Sequence, residues 1–257
     1  MIKPDQTVFI AWHTEQPMTR WAAVARLDCI HWEFAKPLFR FAYTHGAKSI
    51  DGFVPFSGME NLEQVYESTS LFPVLKNRLL PESRPEYRRF LEWNGFNPDD
   101  PPEPLLLLAR SEGIRMTDAI EVFPKPVPDS HGCFRNFFFV HGIRYQANSV
   151  GIISDLHRGD RLTMRPEPTN PVDENAVAIE SAGRLLGYAP RYLARDIGRL
   201  MRKCPSETVR LVVQQVNHDA PLQQRLLCRI EACWPADFQP CDGPDYLPIA
   251  NLLENSL

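Results

Sequence analysis

The chain has 257 residues, of which 44% are hydrophobic and 23% charged, and its formal net charge is −4. This length allows one large domain or two ordinary ones, and the hydrophobic fraction is sufficient for a buried core. The sequence has no run of eighteen apolar residues, and no basic segment followed by an apolar one at its start, which argues against a transmembrane helix and a signal peptide. We therefore expect a cytoplasmic protein with no membrane partner.

The six cysteines lie at positions 29, 133, 204, 228, 233 and 241, and no two of them form a C-x-x-C pair. This spacing is typical neither of a zinc site nor of the framework of a small disulfide-rich domain. The sequence therefore predicts mostly reduced thiols, with no structural metal and no cofactor.

Positive charge is concentrated in the second half of the chain. Residues 134–234 contain 14 Lys and Arg against 10 Asp and Glu, and 13 of those 14 bases are arginine. Arginine presents a planar fork of donors that suits phosphate groups. This segment is compatible with nucleic-acid binding, and equally with an ordinary solvated surface of mixed charge.

Short apolar runs in the first 125 residues predict several β-strands. The runs are Val8–Trp12, Trp21–Leu27, Trp32–Ala35, Leu38–Tyr43 and, further along, Ala119–Phe123. Before the last of these strands the apolar residues follow a helical period. The expected helical segments are Leu62–Tyr66, Leu71–Leu80, Arg84–Trp93 with Ser83 as its N-cap, and Leu105–Arg110. We therefore expect an α+β domain at residues 1–125.

Prolines and polar residues then interrupt all periodicity, so residues 126–133 are expected to form a linker. Strand patterns dominate the chain beyond it. The predicted strands are Phe134–Val140, Ile152–Ile153, Arg161–Met164, Ala176–Ile179, Leu185–Tyr188, Thr208–Val216 and Leu226–Trp234. One clear helix is expected at Arg191–Arg202, after Pro190. The pattern predicts a small β-barrel at residues 134–235, followed by an acidic tail at residues 236–257.

A polar turn between two of these strands is the first place where we expect a functional site. Asn170-Pro171 enforces a turn because proline fixes its own φ and disfavours the α region for the preceding residue. Asp173 and Asn175 can hydrogen-bond the backbone nearby and hold that turn. The next strand and the predicted helix follow within twenty residues, so polar side chains from several elements are expected to meet here.

Three segments, in this order along the chain, resemble a HIRAN domain: Phe138–Tyr145, Leu162–Val177 and Leu186–Ala194. The resemblance covers residues 134–235 and implies an OB-like β-barrel with one or two helices. HIRAN domains bind single-stranded DNA, and in the fork-remodelling helicases that carry them they hold the 3′ terminus. The resemblance therefore implies a bacterial DNA-binding protein that acts in DNA repair, processing or defence, alongside a helicase or nuclease partner.

The same resemblance implies six DNA-binding residues, which are Arg144, Tyr145, Asn170, Asp173, Tyr188 and Arg191. Arg144 and Tyr145 match the Arg-Tyr pair that lines the family's DNA groove. The turn at Asn170 and Asp173 matches the one whose carboxylate accepts a hydrogen bond from the terminal 3′-hydroxyl. The remaining two match positions that approach the phosphate.

The sequence departs from the fork-remodelling helicases at two positions of this site. Those proteins have a second aromatic residue where Gln146 stands here, and another where Val172 stands. Aromatic rings provide stacking surfaces for bases. Two of the stacking surfaces of the helicases are therefore replaced by residues that cannot stack.

The first half of the chain is similar to the N-terminal subdomain of HipA-type kinases. The similarity is carried by Phe41–Tyr43, Phe72–Ser83 and Leu105–Gly113. Some bacterial operons encode this subdomain as a separate protein beside a kinase toxin, and no kinase core follows it here. The resemblance implies an alternative function as a partner or antitoxin of a HipA-like kinase.

A second alternative is an accessory role in a metal-dependent nuclease. Asp160, Glu167 and Asp173 could gather a divalent metal, although no pattern of paired acids with a lysine supports this. The sequence contains neither a G-x-x-x-x-G-K-[ST] loop nor a nucleophile elbow. We therefore expect a protein that is not an enzyme.

Overall fold

The computed structural model describes residues 6–14, 20–31, 36–115 and 119–250. The described residues form two compact units, each built from separate stretches of the chain. The first unit lies within Met1–Pro81, Pro102–Lys125 and Cys241–Leu257, and the second lies within Glu82–Pro101 and Pro126–Pro240. Residues 82–101 thus fold with the second half of the chain, whereas the sequence predicts them within the first domain.

The first unit is built on an antiparallel sheet of five strands. These are β1 (Gln6–His13), β2 (Trp21–Ile30), β3 (Leu38–Tyr43), β4 (Tyr66–Ser68) and β5 (Ile120–Pro124). They pair in the order β4-β3-β2-β1-β5. Four of the predicted strands are confirmed as β1, β2, β3 and β5, while the one at residues 32–35 lies outside the described residues.

Buried side chains on one face of the sheet form the core of this unit. Val8 and Ile10 of β1 and Phe41 and Tyr43 of β3 are fully buried, as a period of two residues requires for one face of a sheet. The hydroxyl of Tyr43 accepts a hydrogen bond of 2.7 Å from the backbone N–H of Phe56. Burial raises the pKa of Tyr43 to about 12, so this phenol stays neutral.

The helices of the first half are short, which corrects the predicted α+β class. They are α1 (Gly46–Ser49), α2 (Pro73–Lys76), α3 (Tyr87–Trp93), which belongs to the second unit, and α4 (Pro104–Arg110). The helical face predicted at Leu62–Tyr66 is wrong, because Tyr66 pairs with Phe41 at the sheet edge. Ser83 is not an N-cap, since α3 begins only at Tyr87. The first unit is mainly a β-sheet with a few short helices.

The described part of the predicted acidic tail is packed. His45 donates its backbone N–H to the carbonyl of Leu247 at 2.9 Å, and Ile249 donates to the carbonyl of Tyr43 at 2.8 Å. Thr44 and Pro248 form an antiparallel bridge between the same segments. The chain around Pro248 therefore extends along the end of β3.

The second unit contains an antiparallel sheet of six strands. These are β6 (Cys133–Phe139), β7 (Arg161–Pro166), β8 (Val177–Ser181), β9 (Arg184–Tyr188), β10 (Arg210–Val216) and β11 (Leu226–Cys233). Their order is β6-β11-β10-β7-β8-β9. His141, just beyond β6, and Tyr188, in β9, exchange two backbone hydrogen bonds of 2.9 Å. The two edge strands therefore meet, and the sheet closes in a barrel-like manner.

One segment of this unit differs from the predicted strands, since Ile152–Ile153 lies in a helix, α5 (Ser149–Ser154). Before it, Arg144 and Tyr145 lie in a 3₁₀ turn at Ile143–Tyr145. The hydroxyl of Ser149 is 2.9 Å from the carbonyl of Ile143 and 3.0 Å from that of Gln146. These hydrogen bonds fold the chain back after β6, so strand propensity does not decide the local structure. The helix predicted after Pro190 is confirmed as α6 (Arg191–Lys203).

The predicted linker at residues 126–133 is an ordered turn. The carboxylate of Asp129 accepts hydrogen bonds from the backbone N–H groups of His131 and Cys133, at 2.9 and 3.0 Å. Pro128 forms an antiparallel bridge with Phe134. The turn is ordered because an acidic side chain accepts hydrogen bonds from its backbone N–H groups, and it leads directly into β6.

Cys204 and Cys233 form a disulfide, which corrects the prediction for these two thiols. Cys204 follows α6 and Cys233 ends β11, and their Cα atoms are 6.0 Å apart. Only the fold brings the two cysteines together, so their spacing of 29 residues gives no recognisable motif. None of the helices in the described ranges has the length and apolar character needed to cross a membrane.

Candidate functional site

A cavity of about 500 Å³ opens in the second unit beside the point where the barrel closes. Its walls come from the 3₁₀ turn after β6, from the β7–β8 turn, and from the junction of β9 with α6. The lining residues are His141, Gly142, Tyr145, Gln146, Asn170, Pro171, Val172, Asp173, Ala176, Tyr188, Ala189 and Arg191. Three segments that are distant in sequence therefore converge on one concave surface.

The close approach of backbones at this point depends on Gly187. A Cβ atom at Gly187 would lie 2.3 Å from the carbonyl oxygen of His141 and 2.7 Å from a methyl group of Val140. Only glycine leaves room for the two hydrogen bonds between His141 and Tyr188. The glycine thus allows the barrel to close and brings the β9 end of the cavity against the turn after β6.

The β7–β8 turn is held by its own side chains. The Oδ1 atom of Asn170 accepts hydrogen bonds from the backbone N–H groups of Val172, at 3.0 Å, and Asp173, at 3.3 Å. The Oδ1 atom of Asp173 in turn accepts one from the N–H of Asn175 at 2.9 Å. The backbone-bonding role predicted for Asp173 is confirmed, and Asn170 has the same role, which the sequence predicts for Asn175 instead.

The side chain of Arg191 links this turn to the start of α6. Its Nε atom lies 3.6 Å from the Oδ2 atom of Asp173, and its Nη2 atom donates to the carbonyl of Val172 at 3.3 Å. The first N–H groups of a helix have no partner within the helix, and the helix dipole places partial positive charge there. The cavity therefore has a cationic side next to the carboxylate of Asp173.

Tyr145 and Val172 provide apolar surface at the cavity. Their exposed fractions are 72% and 67%, which is high for residues of this type. The guanidinium carbon of Arg144 lies 4.8 Å from the centroid of the Tyr145 ring. Arg144 does not itself line the cavity, and it acts on the site by packing against one face of the tyrosine.

A second cavity of about 400 Å³ lies behind the wall formed by Asn170, Pro171 and Tyr188, which line both spaces. Its other lining residues are Arg165, Pro166, Glu167, Pro168 and Thr169. Hydrogen bonding from Asn170 is the main cause that lowers the pKa of Glu167. Burial, reinforced by the negative charge of Glu167, raises the pKa of Tyr188.

The structure brings five of the six predicted site residues to the first cavity, namely Tyr145, Asn170, Asp173, Tyr188 and Arg191. The sequence did not assign two further residues to the DNA site: His141, which lines the same cavity, and Glu167, which lies behind its wall and was considered only as a metal ligand. His141 stands in one of the three HIRAN-like segments, so its position was a usable signal. No sequence motif shows that Glu167 is bonded to Asn170 behind the cavity wall.

Comparison with known proteins identifies this part of the chain. Residues 133–231 match the family model of the HIRAN domain. The matched range comprises all six strands of the barrel-like sheet except the last two residues of β11. The predicted HIRAN domain is therefore confirmed, whereas the similarity of the first half to HipA-type kinases stays a prediction.

Two solved structures are similar to the chain. One is a protein from Lactobacillus plantarum, with 23% identity over 39% of this chain and 99% of that one, and a TM-score of 0.31. The other is the HIRAN domain of human HLTF, with 18% identity over 40% of this chain and 77% of that one, and a TM-score of 0.29. No curated protein matches the sequence.

Proposed function

We propose that this protein binds DNA without a catalytic step, through the first cavity of its HIRAN domain. Its preferred ligand is a single strand, and in particular a free 3′ end. The observation that carries the proposal is the convergence in one cavity of five residues that the HIRAN resemblance implies. The volume of about 500 Å³ falls within the usual range for small-ligand sites, about 300–1,000 Å³, which suits a terminal nucleotide.

The walls of the cavity suit different parts of that nucleotide. The exposed ring of Tyr145 offers a base a stacking surface, and such stacking contributes about 1–3 kcal/mol per base. Arg191, at the start of α6, suits a phosphate, because guanidinium and helix terminus both favour negative charge. The carboxylate of Asp173 can only accept hydrogen bonds, so it favours a terminal hydroxyl and disfavours a terminal phosphate.

A fluorescence anisotropy titration of a 5′-labelled oligothymidylate with a 3′-hydroxyl tests the proposal. We expect saturable binding that weakens as salt is raised, because arginine–phosphate contacts release counterions. Tyr145→Ala should weaken binding about tenfold, since a stacking surface is lost. Absence of binding at low salt, or a Tyr145→Ala variant with unchanged affinity, would contradict the proposal.

The carboxylates considered for a metal-dependent nuclease have other partners. Glu167 is bonded to Asn170 and Arg165, and Asp173 faces Arg191. These contacts favour the binding function over nuclease chemistry. A role as partner of a HipA-like kinase remains a separate prediction, which co-purification from the native host would test.

A further inference from the structure

Glu167 lies outside the first cavity and holds Asn170, one of the residues that form its wall. Its side chain is only 18% exposed. The Oε2 atom accepts a hydrogen bond of 2.9 Å from Nδ2 of Asn170, and the Oε1 atom lies 2.9 Å from Nη2 of Arg165. The phenol of Tyr188 also interacts with this carboxylate and helps to lower the pKa of Glu167. Two hydrogen-bond donors and a phenol therefore surround one acidic group behind the wall.

The carboxylate fixes the orientation of the Asn170 amide. An ionised carboxylate has only acceptors, so the Asn170 group that faces Glu167 must be its NH₂. The amide oxygen then points to the backbone N–H groups of Val172 and Asp173 and accepts hydrogen bonds from them at 3.0 and 3.3 Å. With one amide hydrogen on Glu167, the group that Asn170 can still offer to a bound molecule is a donor.

The same reasoning applies to Tyr188. Because Glu167 can only accept, a hydrogen bond between the two groups has the phenol as its donor. With its hydrogen on Glu167, the phenol oxygen can only accept from a molecule in the first cavity, and a terminal hydroxyl is a donor of the required kind. The cavity wall thus combines an amide donor at Asn170 with an oxygen acceptor at Tyr188.

We propose that Glu167 is a positioning residue that sets this pattern and thereby the preference for a terminal 3′-hydroxyl. The inference rests on the proposed DNA-binding function. It assigns a specificity-determining role to a side chain that does not line the first cavity. Arg165 supports the role from the other side, where it bridges Glu167 and Glu180 at 2.9 and 2.8 Å.

Removing the charge of Glu167 should change the affinity for DNA in opposite directions, depending on whether this residue acts through its charge or by positioning Asn170 and Tyr188. Glu167→Gln deletes a negative charge near a phosphate-binding site, and by Coulomb's law alone DNA affinity should rise. A glutamine also carries an NH₂ group, which lets the Asn170 amide turn round and frees the Tyr188 hydroxyl to point elsewhere. If Glu167 acts by positioning, affinity for the 3′-hydroxyl end falls despite the favourable change in charge.

The test compares oligothymidylates that end in a 3′-hydroxyl or a 3′-phosphate. For Glu167→Gln we expect about tenfold weaker binding of the hydroxyl end, as for loss of hydrogen bonds to a charged group, with the hydroxyl-to-phosphate affinity ratio falling towards one. The matched control is Glu174→Gln, which removes the same charge from the same turn. The side chain of Glu174 is exposed and has no hydrogen bond or ion pair within the described part of the chain. The control should keep the wild-type ratio.

A second readout does not depend on DNA. In the NMR spectrum of the wild-type protein, the side-chain NH₂ of Asn170 should be protected from exchange, because Glu167 accepts one of its hydrogens. In Glu167→Gln this protection should be lost, while the melting temperature shows that the domain remains folded. Wild-type protein that binds neither oligonucleotide would contradict the DNA-binding proposal. Unchanged Asn170 signals, or a Glu167→Gln ratio equal to that of the control, would overturn the role of Glu167.

Discussion

The guanidinium of Arg191 lies 3.6 Å from the carboxylate of Asp173, across the first cavity of the HIRAN domain. One residue starts the longest helix of the second unit, and the other belongs to the β7–β8 turn. Their opposite charges balance each other, and in the proposed function Arg191 binds a phosphate while Asp173 accepts a hydrogen bond from a terminal hydroxyl. This pairing allows the recognition of a phosphate and of a terminal hydroxyl to be separated by mutation.

Replacing the two residues should therefore have different effects on DNA binding. Asp173→Ala should remove the preference for a 3′-hydroxyl over a 3′-phosphate, because the acceptor for the hydroxyl is gone. Arg191→Ala should weaken binding of both ends and lower the salt dependence by about one charge. The matched control is Arg184→Ala, at the first residue of β9, whose exposed side chain does not line the first cavity. Equal losses in the Arg191 and Arg184 variants would contradict the assignment.

Val172 occupies a position where an aromatic residue would face the ligand. Its side chain is 67% exposed and lines the cavity, so Val172→Tyr should be accommodated without repacking. The added ring should strengthen binding of single-stranded DNA by about 1–3 kcal/mol through base stacking. Val150→Tyr, on α5 and outside the cavity lining, should leave the affinity unchanged. An equal gain in both variants would indicate non-specific stacking.

Gly187→Ala should destabilise the second unit and weaken DNA binding together. The added methyl group would lie 2.3 Å from the carbonyl oxygen of His141, so the closing hydrogen bonds with Tyr188 must lengthen. Overpacking of this kind costs about 1–3 kcal/mol in the free energy of unfolding. Gly151→Ala in α5 is the control, because a Cβ there meets no atom within 4 Å and alanine is the better helix former. Chemical denaturation measures the free energy of unfolding of both variants. An unchanged free energy in Gly187→Ala would show that the backbones of Gly187 and His141 do not pack tightly where the barrel closes.

The stabilising effect of Glu167 should depend on pH. The pKa of Glu167 is lowered in the folded protein, chiefly by the hydrogen bond from Asn170. Its contribution is therefore complete above the ordinary value of 4.5 and is lost as the pH falls through the lowered pKa. Glu167→Gln should reduce the free energy of unfolding by about 1 kcal/mol at neutral pH, with the difference vanishing in acid. A difference that stays constant with pH would show that the charge of Glu167 is not involved.

Much of the second unit could be predicted because its signals are local. Short apolar runs bounded by polar turns indicate β8 and β9, and Pro190 followed by a helical period indicates α6. The Asn170–Asp173 turn is encoded in the same way, since its side chains bond the adjacent backbone. These elements need no distant partner to specify them.

The errors arise where distant contacts decide the structure. Ile152–Ile153 has the β-branched character of a strand, yet the hydrogen bonds of Ser149 turn the chain and favour a helix. Tyr66 and the apolar residues before it have the spacing of a helical face, but Tyr66 pairs with Phe41 at the edge of the first sheet. The Cys204–Cys233 disulfide also joins segments that only the fold brings together.

The affinity ratio of the wild-type protein for 3′-hydroxyl and 3′-phosphate oligonucleotides tests the account most directly. The two ligands differ only at the group that should face Asp173, so the ratio isolates end recognition from the general attraction of phosphates. We expect the hydroxyl end to bind about tenfold more tightly, which corresponds to one charge-assisted hydrogen bond. Equal affinity for both ends, or no binding of either at low salt, would contradict it.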